Sequence, residues 1–251
     1  MSEREWDAAT YDQIAHPQAR GGSAVVDRLI LDGSETVLDA GCGSGRVTEM
    51  LLARVPDGHV IALDGSEAMI AAARERLSSY GGQVSYVCTD LLALTPESLR
   101  GRAPVDAVLS TATFHWVTDH DDLFRRIAGV LRPGGQLVAQ CGGAGNIANL
   151  IATVASLGVD RAGDWVYADV ATTKRRLTAA GFAIGDVWLH DEPTRFEPGR
   201  EFEDFLETVC LRQHVATLPV EQRRPFVERV AAAMPEPVLD YVRLNIIATL
   251  G

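Results

Sequence analysis

Three glycines at alternate positions, Gly41, Gly43 and Gly45, separate a short apolar run from a helical pattern in VLDAGCGSGRVTEMLL (37–52). Glycine lets the backbone turn sharply and approach a ligand, and a helix that follows aims its first N–H groups at whatever the turn holds. The dinucleotide fingerprint is GxGxxG, whose third glycine lets the helix pack on the strand. Counted from Gly41, that third place is Arg46. The spacing GxGxG therefore counts against NAD or FAD. Three carboxylates accompany the turn. Asp39 stands just before it, where a carboxylate suits an ammonium group better than a pyrophosphate. Asp64 closes the next apolar run, the position from which an acid accepts ribose hydroxyls in nucleotide-binding sheets. Asp90 follows the third run and offers an acceptor for an adenine amino group. Three acids on one rim favour a nucleoside cofactor without phosphates and with a positively charged region.

Such residues need a scaffold that gathers strand ends. TVLDA (36–40) reads as a first strand, followed by a helix from Gly45 to about Val55 that PDG stops. HVIALD (59–64) is the second strand. Ser66 then stands as an N-cap with Glu67 in the first turn and Ala68, Ile70, Ala71 and Leu77 behind it. QVSYVCTD (83–90) and VDAVLS (105–110) read as the third and fourth strands. Asp119 to Val130 reads as a helix whose acidic start suits the macrodipole. RPGG (132–135) is expected to stop it before a fifth strand, QLVAQC (136–141). CGGAGN (141–146) follows on the same rim: its glycines could form a hinge or give a substrate room, or the stretch is a plain loop before a helix capped by Asn146. Alternating strands and helices imply a parallel sheet covered on both faces, doubly wound by right-handed crossovers. Ligands in such sheets lie beyond the carboxyl ends of the strands.

The last third changes character. A helix over 171–182 ending at Gly181 leads to AIGDVWLHDEPTRFE (183–197), a bent strand or ribbon. Two charged helical stretches follow, Glu201 to about Ala216 and Val220 to about Met234, before LDYVRLNIIATL (239–250) returns to a strand pattern. Residues 198–236 thus read as a helical insertion between the last two strands, of a kind that can lie over a site as a lid.

The chain has 251 residues, with 47% hydrophobic and 23% charged residues and a formal net charge of -11. That composition supports one sizeable α/β core. Nucleic-acid readers rely on a basic face, and the strongest basic cluster here is TKRRL (173–177). A small-molecule partner is expected, with neither nucleic acid nor membrane. Cys42, Cys88, Cys141 and Cys210 show neither a CxxC pair nor zinc-ligand spacing, so no metal is expected. The polar start MSEREWDAAT is unlike a signal peptide, and no run is long and apolar enough for a membrane span. A reducing, cytoplasmic setting follows as the expectation.

The ordered set VLDAGCGSG, ALDGSEAMI, VCTDLL and VLRPGGQLVA resembles the S-adenosylmethionine-dependent methyltransferases of the Rossmann-like class over roughly residues 34–141. Within that class, STATFHWVTDHDDLFRRIAGVLRPGG is similar to the trans-aconitate methyltransferase group, which methylates small acids. The resemblance implies a mostly parallel seven-stranded sheet, a cofactor-binding core at 34–141 and an N-terminal helical cap at 1–33. It implies S-adenosylmethionine as cofactor, held by the loop glycines 41, 43 and 45 and their leading acid Asp39. Asp64 matches the ribose acid. Gly65, Ser66 and Met69 match the segment beside the adenine, with Met69 packing on the ring. Asp90 and Leu91 match the adenine-amino contact, and Ser110 and Thr111 the position near the sulfonium. Tyr11, in WDAATYD, matches a tyrosine that closes over the cofactor.

Methyl transfer from a sulfonium is an in-line displacement that depends chiefly on alignment in a dry pocket. A carboxylate nucleophile is already ionised, whereas a hydroxyl, amine or carbon nucleophile calls for a base. His115, in TFHWVTDH (113–120) after the fourth strand, is the candidate base, since imidazole titrates near neutral pH. Trp116 offers a flat wall and a cation–π partner for the sulfonium. An arginine such as Arg195 or Arg161 could hold a substrate carboxylate, although nothing in the sequence singles one out. The reading is methyl transfer to a small molecule, with a carboxylic acid preferred. The alternatives are O-, N- or C-methylation of a secondary metabolite with His115 as base, an NAD-linked oxidoreductase, and a non-catalytic cofactor-binding protein.

Overall fold

The apolar runs become strands because both of their faces find cover. The computed structural model describes residues 22–159 and 165–251. It contains β1 (Thr36–Ala40), α1 (Arg46–Arg54), β2 (His59–Asp64), α2 (Glu67–Arg76), β3 (Val84–Cys88) and β4 (Val105–Thr111). Next come α3 (His120–Val130), β5 (Leu131–Gly142), α4 (Ala148–Ser156), α5 (Val170–Ala179) and β6 (Phe182–Asp191). On one face of the sheet Leu38, Ala40, Ile61, Leu63 and Val108 pack on Leu123, Phe124, Ile127 and Val130 of α3 and on Leu177 of α5. On the other face Val37, Val60, Ala62, Ala107 and Leu109 pack on Leu51 and Leu52 of α1 and on Ile70, Ala73 and Leu77. Val25, Val26 and Leu29, in and just after a helical turn over 22–26, join that second layer. Alternate residues of each strand thus enter opposite cores, as expected for strands buried on both sides.

Pairing yields a seven-stranded sheet of order β3-β2-β1-β4-β5-β9-β6, where β9 is Val242–Leu250. The first five strands in that order run parallel. Strand β9 runs antiparallel between β5 and β6. The order reverses between β1 and β4, so a crevice opens beyond their carboxyl ends. Because β9 runs the other way, its first residues, Val242 and Arg243, lie on that same rim, with Arg243 opposite Gly142.

Two expectations are corrected. RPGG lies inside a strand: α3 ends at Val130, Leu131 pairs at once with Val105, and the register shifts before Gln136 pairs with Ala107. The intervening residues form an irregularity that glycine permits, since Gly134 has φ +75 and a Cβ on Gly135 would lie 2.8 Å from the Arg132 carbonyl. The ribbon at 183–197 is two strands. β6 ends at Asp191, and β7 (Thr194–Arg195) pairs with β8 (Val238–Leu239) in a separate two-stranded sheet.

The segment between β7 and β8 holds α6 (Arg200–Phe205), a π-turn over Leu206–Cys210, α7 (Arg212–Ala216) and α8 (Val220–Ala233). Phe202, Phe205, Leu206, Phe226, Val227 and Val230 build a third core with Ile147, Leu150 and Val154 around α4. Arg224 of α8 pairs with Glu203 and Asp204 of α6. No helix among the described residues is long and apolar enough to cross a membrane.

Candidate active site

The glycine turn is tied to β2 by two hydrogen bonds: Gly41 and Cys42 donate their backbone N–H groups to the Leu63 carbonyl at 2.8 and 2.9 Å. All three glycines have positive φ, and they do different work. At Gly41 (φ +89) a Cβ would sit 2.1 Å from Thr113 Oγ1, so this glycine makes room for the loop after β4. At Gly45 (φ +86) a Cβ would meet Leu77 and Ala73 at 3.1 and 3.3 Å, so this one sets the packing of α1 on α2. Gly43 (φ +54) has nothing within 4 Å and is the glycine that faces open space.

Asp39, at the end of β1, is completely buried. Its Oδ2 accepts a hydrogen bond from Thr48 Oγ1 at 2.7 Å, while Oδ1 has no partner. Burial pushes this carboxyl up to about 7, against the opposing pull of the Thr48 bond. Asp64 accepts from the Gly43 N–H (2.9 Å, Oδ2) and the Ser66 N–H (2.9 Å, Oδ1). Burial raises its pKa as well, and these N–H bonds oppose the rise. A carboxylate offers about four acceptor positions, so Asp64 keeps capacity for further donors. The orphaned oxygen of Asp39, the open face of Gly43 and the spare lone pairs of Asp64 fit a ligand that carries an ammonium group and paired hydroxyls.

Gly65 and Ser66 continue directly from Asp64. Ser66 caps α2, accepting from the Met69 N–H at 3.3 Å, and Met69 is buried. Asp90 is exposed and caps the short turn Leu91–Ala93 through its bond from the Leu92 N–H (2.8 Å). Leu91 is buried. Ser110 is buried and donates to the Ala40 carbonyl at 2.7 Å, which ties β4 to β1. Thr111 is half-buried, and its carbonyl accepts from Thr113 Oγ1 at 2.9 Å. Tyr11 and Arg161 lie outside the described residues.

Beside the turn is a cleft lined by Ala112, His115, Trp116, Asn146, Ile147, Trp165, Tyr167, Tyr241 and Arg243, with Val209 and Cys210 closing it from the insertion. His115 Nδ1 accepts the Gly142 N–H at 3.3 Å. The proton of the neutral ring is therefore on Nε2. Burial, reinforced by the charge of Arg243, holds His115 down to about 3. Its ring lies 5.1 Å from Trp116 and 6.0 Å from Tyr167, and Tyr167 stacks on Trp165 at 5.8 Å. Burial pushes Tyr167 and Tyr241 above the usual phenol range. Cys42, Cys141 and Cys210 are buried thiols whose pKa burial raises, and Cys88 is exposed.

Among the described residues, the arginine on this cleft is Arg243. Arg195 instead forms an exposed pair with Glu236 at 2.5 Å. Asn146 does not cap α4: its Oδ1 accepts from the Val242 N–H at 2.9 Å, and Ile147, with φ +49, precedes the helix. Trp165, Tyr167, Tyr241 and Arg243 carry no local sequence signal, because they meet only through the fold.

A methyltransferase-domain family model matches residues 37–135. The trans-aconitate 2-methyltransferase of Methylobacterium nodulans is 30% identical over 241 residues, covering 92% of this chain and 90% of that protein. The enzyme of the same name from Methylobacterium radiotolerans is 30% identical over 92% of this chain and 89% of its own length. Among solved structures, the Bacillus subtilis YcgJ protein shares the fold with a TM-score of 0.64 at 17% identity, over 92% of this chain and 98% of that one. The Haemonchus contortus phosphoethanolamine N-methyltransferase 2 in complex with S-adenosyl-L-methionine shares it with a TM-score of 0.61 at 20% identity, over 97% of this chain and 56% of that one. With the glycine turn, its acid rim and this full-length similarity together, the chain belongs to the S-adenosylmethionine-dependent methyltransferase family, in the group of the trans-aconitate 2-methyltransferases.

Proposed function

We infer that the chain transfers the methyl group of S-adenosylmethionine to a carboxylate oxygen of a small organic acid. The bound cofactor supplies an electrophilic methyl on a sulfonium. Asp39 holds the ammonium end, releasing its proton to meet that charge. Asp64 accepts the ribose hydroxyls, with Gly43 giving the backbone room to approach. Met69 and Leu91 pack beside the adenine, and Asp90 offers its free acceptor capacity to the adenine amino group. Ser110 and Thr111 border the reacting end, and Trp116 walls it.

The observation that carries the carboxylate reading is the Gly142–His115 hydrogen bond. With Nδ1 occupied and the ring held neutral, His115 orients the acceptor through its Nε2–H and takes no proton from it. Among the described residues lining the cleft, the other ionisable side chains are an arginine, a cysteine and two phenols, whose thiol and phenol pKa values burial raises. A carboxylate, ionised at neutral pH, is the acceptor that needs no base. The names of the curated relatives point to the same acceptor class. The insertion between β7 and β8 closes one wall of the cleft and acts as its lid.

The test is incubation with methyl-labelled S-adenosylmethionine and a panel of small carboxylic acids. An alkali-labile labelled ester is expected. Label confined to alkali-stable products of alcohols or amines would transfer the reading to the alternative with His115 as base.

A further inference from the structure

Arg243 is an unusual residue to find in the middle of a sheet. It is the second residue of β9, paired with Gly142 on one side and His190 on the other, and only 7% exposed. Its Nε donates to Glu192 Oε2 at 2.6 Å, and its guanidinium lies 4.2 Å from the centre of the Tyr241 ring. Among the described residues its two Nη nitrogens have no hydrogen-bond partner, and the residue lines the cleft. Glu192 takes only the Nε edge and is itself 41% exposed. A desolvated guanidinium with its terminal fork free is matched in geometry to a carboxylate.

We propose that Arg243 anchors a non-reacting carboxylate of the acceptor, and so makes this chain select acids that carry at least two carboxylates. The inference rests on the carboxylate reading above. An oxygen clamped by a guanidinium is a poor nucleophile, and methylating the anchored group would break its ion pair. The anchored carboxylate is therefore distinct from the one that attacks. The walls of the cleft fit this arrangement: Trp165, Tyr167 and Tyr241 offer flat faces for a short unsaturated body between the two acid groups. A purely structural Arg243, bracing β9 against Glu192, would contribute to stability and would not tell a diacid from a monoacid.

The experiment is calorimetric titration of the full chain, saturated with S-adenosylhomocysteine, with trans-glutaconate, trans-aconitate and crotonate. Crotonate has the same unsaturated segment as trans-glutaconate without the second carboxylate. Wild-type protein is expected to bind at least one of the two polyacids at least tenfold more tightly than crotonate. Arg243→Gln should erase that preference, Arg243→Lys should restore part of it, and Glu192→Gln should keep it. S-adenosylhomocysteine affinity, measured on every variant, reports that the fold is intact. Equal wild-type affinity for polyacids and crotonate, no polyacid binding at all, or an undiminished preference in Arg243→Gln would overturn the proposal. Arg243-dependent polyacid binding without methylation would support the anchor and count against the carboxyl-methylation reading, so the two failures are distinct.

Discussion

Gly142 and His115 are joined by a hydrogen bond in which the glycine N–H donates to the imidazole Nδ1 at 3.3 Å. The bond runs from the last residue of β5 to the turn after β4, and it converts a residue type associated with proton abstraction into a fixed donor. Burial adds to this by holding the ring neutral.

The pH dependence follows with a definite sign. A histidine lowered to about 3 is neutral throughout the range from pH 6 to 8. The rate at saturating substrates should therefore show no limb near 6.5 that belongs to His115. His115→Gln, which keeps a side-chain N–H donor, should keep kcat within about an order of magnitude, because it retains one neutral hydrogen bond worth about 1 kcal/mol. A limb near 6.5 in wild type that disappears in His115→Gln would restore the base role.

Asp39 should couple cofactor binding to pH. Its pKa is raised to about 7, so the free protein holds a proton on it below neutrality, and an ammonium group must displace that proton. Affinity for S-adenosylhomocysteine should rise between pH 6 and 7.5, a range in which the ligand's own amino group stays protonated. Asp39→Asn should flatten the dependence and weaken binding about tenfold or more, the worth of a hydrogen bond between charged groups. The same shift has a stability consequence. A folded-state pKa raised above the unfolded value contributes stability below pH 4 that is lost as pH rises through about 7. Asp39→Asn should therefore raise Tm more at pH 8 than at pH 5, as read by thermal unfolding without ligand.

The loop glycines should separate by their surroundings. Gly43→Ala meets no atom within 4 Å but requires a left-handed backbone, costing about 1–3 kcal/mol. It should give a folded protein with weakened cofactor binding. Gly41→Ala adds a collision with Thr113 to the same backbone cost and should lower Tm further. Equal Tm losses in the two variants would show that the loop after β4 yields freely.

The strands and the acid rim were legible in the sequence for a simple reason. Strands buried on both faces read as continuous apolar runs, and in a parallel sheet the residue after each run lies on one rim. Asp39 and Asp64 could be placed by that rule alone. Arg243 could not. LDYVRLNIIATL reads as a strand, but the rim position of its arginine depends on β9 entering antiparallel between β5 and β6, pairings that join Arg243 to the distant residues Gly142 and His190. Asn146 misled for a related reason: its position suits a helix cap, and its side chain instead satisfies the Val242 N–H across the sheet edge. RPGG has the composition of a terminator, yet β4 offers pairing on both sides of it, so the strand continues around the irregularity.

The central claim is that the acid rim around Gly43 seats S-adenosylmethionine, and calorimetric titration tests it most directly. Wild-type protein should bind S-adenosylmethionine and S-adenosylhomocysteine with micromolar affinity (about -8 kcal/mol) and show no binding of NAD. Asp64→Asn, with folding checked by thermal unfolding, should lose most of that affinity. Undiminished binding in Asp64→Asn, or tight binding of NAD with no response to the adenosyl ligands, would contradict the account.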